Sequence, residues 1–153
     1  MSSNTSLFYD AVKTALAATL TTHNYLSDPY SPEQCSEEQL EKGYGFYFGA
    51  GVNTNLQMSC QQSVERIVTL VITRRAVALE RNRVGKEDVE KLLLDDLFAV
   101  QSRFESDANI KSNNNIASFS YVEDSGIEPV FDDKKTHLKI VANFKIVVFD
   151  NLT

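Results

Sequence analysis

The sequence predicts a single two-layer α+β domain in which a mostly antiparallel, four-stranded sheet packs on two helices. Three observations predict this class. Two segments carry apolar residues at helical spacing, four segments are rich in β-branched and aromatic residues, and they follow one another in the order α-β-β-α-β-β. At 153 residues the chain has the length of one typical domain. We therefore expect one domain over residues 1–153.

Two helices follow from the apolar spacing. The first is predicted from Leu7 to about Thr22, where apolar residues recur in pairs four positions apart. The second has Glu87 and Asp88 in its first turn, where acidic side chains suit the helix dipole, and ends near Ser106. Its apolar face, with spacings of three and four, comprises Val89, Leu92, Leu93, Leu97, Val100 and Phe104.

Four strands are predicted from β-branched and aromatic runs. They span Tyr44–Val52, Val64–Val77, Ile116–Val122 and Thr136–Phe149, and the first two should form a long antiparallel hairpin. The last strand alternates, and its more polar side carries Lys139, Asn143 and Lys145. One face of the sheet is therefore expected to meet solvent or a neighbouring subunit.

Two long loops separate these elements. Residues 23–43 contain Pro29 and Pro32, which disfavour helix in the residues before them, so a loop with at most one short turn is expected. Residues 123–135 contain Gly126 and Pro129. Loops of such length in a compact domain are usually functional or ordered by a partner.

Composition excludes several classes of protein. The chain has 15 basic and 21 acidic residues, a net charge of −6, no apolar run of membrane-spanning length and no secretion signal at its start. We expect a protein made in the cytoplasm, without a membrane segment. For Cys35 and Cys60, two reduced thiols are favoured over the alternative, a single disulfide bridge. No nucleophile, zinc or phosphate-loop motif is present. The sequence therefore predicts no catalytic residue, no metal and no cofactor.

The segment Lys42–Gly49 is an alternative candidate for function. Its first five residues fit the octamer of RNA-recognition motifs, whose strand aromatics stack on bases. Its sixth and eighth positions, Tyr47 and Gly49, do not fit, and the acidic net charge disfavours a phosphate backbone. The favoured interpretation is a strand whose glycines allow close backbone approach.

Charge is unevenly distributed along the chain. Residues 64–86 carry six basic and two acidic groups, whereas residues 87–109 carry two basic and seven acidic groups. Either both are solvated surfaces, or the arginines of one copy pair with the carboxylates of the next in a head-to-tail ring. The residues predicted for such a subunit interface are Arg74, Arg75, Arg81, Arg83, Glu87, Asp88 and Asp95.

The whole pattern resembles the tail terminator proteins of long-tailed bacteriophages. The resemblance rests on the order of elements, the aromatic strand Gly45–Gly51, the long strand Glu65–Ala76, and the terminal pair Ala117–Val122 and Thr136–Phe149 around an acidic loop. It is a resemblance of pattern over nearly the whole chain. The loop at residues 23–43 is longer than the short members of that family need.

The resemblance implies a structural, non-enzymatic virion protein at the head–tail junction. Such proteins form a homo-oligomeric ring, expected to be a hexamer, on the tail tube protein, stop tube growth and receive the DNA-filled head through its head-completion proteins. An acidic lumen would let DNA pass without binding. The residues predicted to contact these partners are Asp28, Tyr30, Glu37, Glu38, Asp132 and Lys134. A neighbouring connector role, in head completion or as a stopper, is the nearest alternative.

Overall fold

The computed structural model describes residues 3–54, 61–76, 84–111 and 116–151. Within these ranges there are four α-helices, one short 3₁₀ helix and seven strands. In chain order they are α1 (Asn4–Thr19), β1 (Asn24–Tyr25), the 3₁₀ helix (Pro32–Gln34), α2 (Glu37–Leu40), β2 (Lys42–Phe48), β3 (Val52–Asn53), β4 (Gln61–Arg75), α3 (Val84–Ser106), α4 (Ala108–Lys111), β5 (Ile116–Asp124), β6 (Glu128–Pro129) and β7 (His137–Asn151).

The strands form one mixed sheet in the order β1-β2-β4-β7-β5, with β3 paired to β4 and β6 paired to β7. Strands β1 and β2 are parallel, and the other pairs are antiparallel. The predicted four-stranded, mostly antiparallel sheet on two helices is therefore wrong. The added strands β1, β3 and β6 are two residues long, too short to leave a periodic sequence pattern, and the loops supply them where their backbone meets a longer strand.

Helix α1 begins three residues before the predicted start. The Ser3 hydroxyl accepts a hydrogen bond from the Ser6 amide, 3.0 Å long, as an N-cap does. The Asp150 carboxylate, at the end of β7, accepts from the Asn4 amide and from the Thr5 hydroxyl. A carboxylate at the positive end of the helix dipole is stabilising, so the first helix is fastened to the last strand.

The main hydrophobic core lies between the helices and one face of the sheet, here called the first face. Strands β2, β4 and β7 each contribute alternate side chains to it, as the period of a strand requires. Helix α3 contributes one side and ends at Ser106, as predicted. The fully buried large side chains of this core include Phe8, Leu16, Phe46, Leu70, Ile72, Leu93, Ile140, Phe144 and Ile146.

The opposite side of the sheet, the second face, is covered only in part. A smaller cluster around Val71 and Leu26 covers one half. On the other half, Ile67 is 37% exposed, the Thr69 hydroxyl donates to the Asn143 amide oxygen at 3.0 Å, and Lys145 pairs with Glu65 at 3.3 Å. This half is an open, partly polar surface.

Strand β5 forms one edge of the sheet. Its pairing with β7 is irregular between Ile116 and Ser118 and again between Tyr121 and Glu123. The Lys111 ammonium donates to the Phe119 carbonyl oxygen at 3.4 Å. Bulges and a lysine are devices that prevent edge-to-edge pairing of sheets.

Candidate interaction surface

Two loops that are distant in sequence meet over the covered half of the second face. We call the two segments, residues 26–41 and 127–136, the two-loop lobe. They share a small core with the sheet, which comprises Leu26, Cys35, Leu40, Val71 and Val130. Across the surface, Lys134 Nζ lies 2.9 Å from Glu37 Oε1 and 4.6 Å from the centroid of the Phe131 ring. The lobe is one packed unit to which both predicted partner-contact loops contribute.

All six residues predicted to contact partners lie in this lobe: Asp28, Tyr30, Glu37, Glu38, Asp132 and Lys134. Asp28 accepts a 3.1 Å hydrogen bond from the Ser31 amide, so its carboxylate stabilises the local turn. The Tyr30 ring is 68% exposed and stacks on Tyr47, with ring centroids 4.1 Å apart. Glu38 and Asp132 are exposed. Their contact with other proteins stays a prediction.

A cleft of about 560 Å³ opens beside the lobe. Its polar lining carries four carboxylates and one lysine: Glu33, Glu128, Asp132, Asp133 and Lys139. Within the ranges that the structure describes, no group of three or more histidine, cysteine or acidic residues is placed to hold a metal ion. The cleft therefore presents a negative surface, of the kind that complements a basic partner.

His137 lies beneath the lobe, at the start of β7, and is buried. Its Nδ1 lies 3.0 Å from the Thr136 hydroxyl, whereas its Nε2 has no hydrogen-bond partner in the described part of the chain. The Phe131 ring packs against the imidazole in a T-shaped arrangement, with centroids 5.7 Å apart. Burial lowers the pKa of His137 because desolvation penalises the charged form. The site stabilises the neutral imidazole.

Four charged side chains surround His137. The Glu37 and Glu41 carboxylates raise its pKa, and the Arg75 and Lys134 cations lower it. Glu37 pairs with Lys134, and Glu41 Oε1 lies 3.0 Å from Arg75 Nη1. Because each acid is paired with a base, their opposite effects on the pKa of His137 largely cancel. Burial, the largest effect, therefore determines that the pKa is lowered.

A second polar cluster joins β4 to α3. Arg74 donates two hydrogen bonds to the Asp96 carboxylate, 2.7 and 2.9 Å long. His23 Nε2 lies 3.2 Å from the same carboxylate. Burial alone raises the pKa of Asp96, but the hydrogen bonds from His23 and Arg74 outweigh it, and the net pKa is lowered. The cluster fastens the helix layer to the end of the sheet.

Four of the seven residues predicted for a subunit interface have side chains that the structure describes. Arg74 and Arg75 both pair with acids of their own chain, Asp96 and Glu41. Asp88 and Asp95 are exposed on α3. Arg81 and Arg83 lie outside the described residues, as does the side chain of Glu87. Whether any of these residues contacts a neighbouring copy stays a prediction.

Sequence reasoning missed the roles of Asp96 and His137. A signal existed for Asp96, which lies three residues after Leu93 and four before Val100, on the same side of α3 as the core. For His137, the alternation of β7 predicts that the side chain lies on the second face, but no local sequence pattern predicts that a loop covers it there.

Apolar side chains are exposed on the outer side of α3. Leu94 and Phe98, one helical turn apart, are 51% and 69% exposed. Because the two side chains are neighbours on the helix, they form a small apolar patch, and exposed apolar patches are typical of interaction sites. Together with Ile67 on the open half of the second face, they place apolar surface on opposite sides of the domain.

The Lys42–Gly49 segment is strand β2 together with Gly49. Tyr44 and Phe46 point to the first face and are buried, and the Phe46 ring lies 4.8 Å from that of Tyr9. Buried rings cannot stack on bases, which disfavours the RNA-binding alternative.

Comparison of the sequence with models of protein families gave no match, and a search of curated proteins gave none either. No helix among the described residues is both long and apolar enough to span a membrane. The functional argument therefore rests on the geometry of the chain and on the resemblance of pattern described above.

Proposed function

We propose that this chain is a structural virion protein of a long-tailed bacteriophage that acts at the head–tail junction. In this proposal, copies assemble into a ring, most simply a hexamer, on the end of the tail tube. The ring stops tube polymerisation and provides the surface to which the DNA-filled head docks. The role is one of assembly, without catalysis.

One observation carries the assembly part of the proposal: large apolar side chains are exposed on two opposite sides of the domain. Leu94 and Phe98 lie on the helix layer, and Ile67 lies on the open half of the second face. Two different surfaces that contact each other in successive copies make a head-to-tail interface, which closes into a ring when the rotation allows it. A head-to-tail contact would bury both patches in every copy.

The phage assignment rests on the resemblance described above. The segments that carry it correspond to long strands: the aromatic segment to β2, the long segment to β4, and the terminal pair to β5 and β7. The two-loop lobe and its acidic cleft give the ring a surface for tube or head proteins that is separate from both apolar patches.

Phe98→Asp tests the ring directly. Placing a charge in the proposed interface should convert the oligomer into monomers, measured by light scattering and native mass spectrometry. Leu7→Asp is the matched control, because Leu7 is 52% exposed but lies on α1, on neither α3 nor the second face. A wild-type protein that stays monomeric, even with assembled tail tubes from the same phage, would overturn the proposal.

Electron microscopy of tail tubes separates a terminator from the other connectors. A terminator caps one end of each tube and limits tube length when it is added during polymerisation. A head-completion or stopper protein binds the head vertex and leaves tube length unchanged. Rings that bind heads but never tubes would therefore replace this proposal with the connector alternative.

A further inference from the structure

We propose that the two-loop lobe is a pH-sensitive element, in which protonation of His137 releases residues 127–136 from residues 26–41. This inference does not depend on the proposed function. It rests on where the imidazole lies: under the lobe, in contact with the Phe131 ring, with one ring nitrogen hydrogen-bonded and the other without a partner among the described residues.

Either tautomer of the neutral ring leads to the same outcome. If Nδ1–H donates to the Thr136 oxygen, protonation places a new N–H on Nε2, which has no acceptor among the residues described. If the Thr136 hydroxyl donates to Nδ1, protonation removes that acceptor and leaves Nε2–H unpaired as before. The imidazolium has two donors, and the closed lobe accommodates at most one. A buried charge with an unpaired donor is costly, so the closed form is destabilised.

The charged neighbours do not remove this cost. Lys134 and Arg75 repel a protonated His137, while Glu37 and Glu41 attract it. Both acids already pair with those same bases. A new cation therefore competes for Glu37 with Lys134, which weakens the ion pair that links the two segments across the surface.

Opening of the lobe would expose its small core. The Val130 amide donates a 2.9 Å hydrogen bond to the backbone carbonyl oxygen of His137, so the second segment is joined to the residue that carries the imidazole. Cys35 is buried in the same cluster and is a free thiol. Accessibility of the Cys35 thiol therefore reports whether the lobe is closed.

Thiol labelling with 4,4′-dithiodipyridine provides the test, in a Cys60→Ala background in which Cys35 is the single reactive group. At each pH, the labelling rate of the urea-unfolded chain is divided by that of the native chain. This ratio measures the protection of Cys35, and it cancels the pH dependence of the thiol's own reactivity. This protection should be constant at neutral pH and fall as the pH drops below the ordinary histidine pKa of 6.5, by at most about tenfold per pH unit until the folded-state pKa of His137 is reached. His137→Gln should abolish the pH dependence, and His23→Gln should retain it.

Two further measurements guard against misfolding of a variant. In the Cys60→Ala protein with both histidines intact, the Val130 and Cys35 amide resonances should titrate with the His137 ring. Amide exchange in the centre of β4 should remain slow over the same pH range, because the opening is local. The proposal fails if protection is independent of pH, if His137→Gln keeps the pH dependence, or if β4 loses protection together with the lobe.

Discussion

Arg74 and Asp96 form a two-bond ion pair, with N–O distances of 2.7 and 2.9 Å, between the end of strand β4 and the middle of helix α3. Both side chains are mostly buried, with 16% and 12% of their surfaces exposed. A parallel pair of hydrogen bonds fixes direction as well as distance. The pair therefore sets the position of α3 on the sheet, and with it the position of Leu94 and Phe98.

Asp96→Ala should lower the free energy of unfolding by about 2–3 kcal/mol, because it leaves the Arg74 guanidinium partly buried without its acceptor. Asp95→Ala is the matched control, since Asp95 is the exposed neighbour on the same helix. Its effect should stay within about 0.5 kcal/mol. Urea unfolding followed by circular dichroism measures both variants. Equal losses would show that the ion pair adds no specific stability.

The contribution of Asp96 should depend on pH. Its pKa is lowered from 3.8 in the folded protein, so the carboxylate stabilises the fold fully at pH values well above 3.8. As the pH falls through 3.8 toward the lower folded-state pKa, the unfolded chain takes up a proton first, and stability is lost. The stability difference between wild type and Asp96→Asn should therefore shrink below about pH 5. A difference that stays constant down to pH 3 would contradict the lowered pKa.

His137 should make the protein less stable in mild acid. Its folded-state pKa lies below the ordinary value of 6.5, so at neutral pH both folded and unfolded states hold a neutral ring. Below pH 6.5 the unfolded chain binds the proton more readily, and stability falls until the folded-state pKa is reached. Urea midpoints of wild type should decline over this range more steeply than those of His137→Gln. Parallel curves would assign the acid sensitivity to another group.

Gly43→Ala should destabilise the fold by about 1–3 kcal/mol through overpacking. A Cβ at this position would lie 2.6 Å from the Gln39 carbonyl oxygen and 2.7 Å from both Leu26 Cδ2 and Thr73 Oγ1. At Gly49, the nearest atom to an added Cβ is the Ile67 carbonyl oxygen at 3.1 Å, so Gly49→Ala should cost less. Thermal unfolding measures the loss of stability in both variants. A smaller loss for Gly43→Ala than for Gly49→Ala would contradict this packing.

Phe46→Ala should lower the free energy of unfolding by about 3–5 kcal/mol, because Phe46 is a fully buried core residue. Tyr30→Ala removes an exposed ring from the lobe and should change stability far less.

Fluorescence polarisation with single-stranded RNA should show no salt-sensitive binding by the wild-type protein. Binding that weakens steeply as the salt concentration rises would support the RNA-binding alternative.

The long elements could be predicted because their residues repeat with a clear period. The alternation from Leu138 to Val148 predicts a strand, and this segment lies in β7. The spacing from Val89 to Phe104 predicts a helix, and it lies in α3. The start of α3, at Val84, precedes any periodic residue and was not predicted.

The sheet was predicted wrongly because its extra strands depend on tertiary contacts. Asn24 and Tyr25 become a strand through pairing with Gly43 and Tyr44, nearly twenty residues away. No local pattern distinguishes two such residues from a loop. The same limit applies to the candidate site, since Glu37 and Lys134 are separated by 97 positions and neither residue type nor spacing predicts their contact.

The outer edge of β5 bears on how growth of an assembly is limited. The strand has two register irregularities, and the Lys111 ammonium lies at its Phe119 carbonyl oxygen. Both features make edge-to-edge pairing with another copy unfavourable. Copies that associate through their side-chain surfaces can then close on themselves without extending into endless β-fibres. In the role proposed above, the protein ends one polymer, and an edge strand that does not pair with other copies prevents it from starting another.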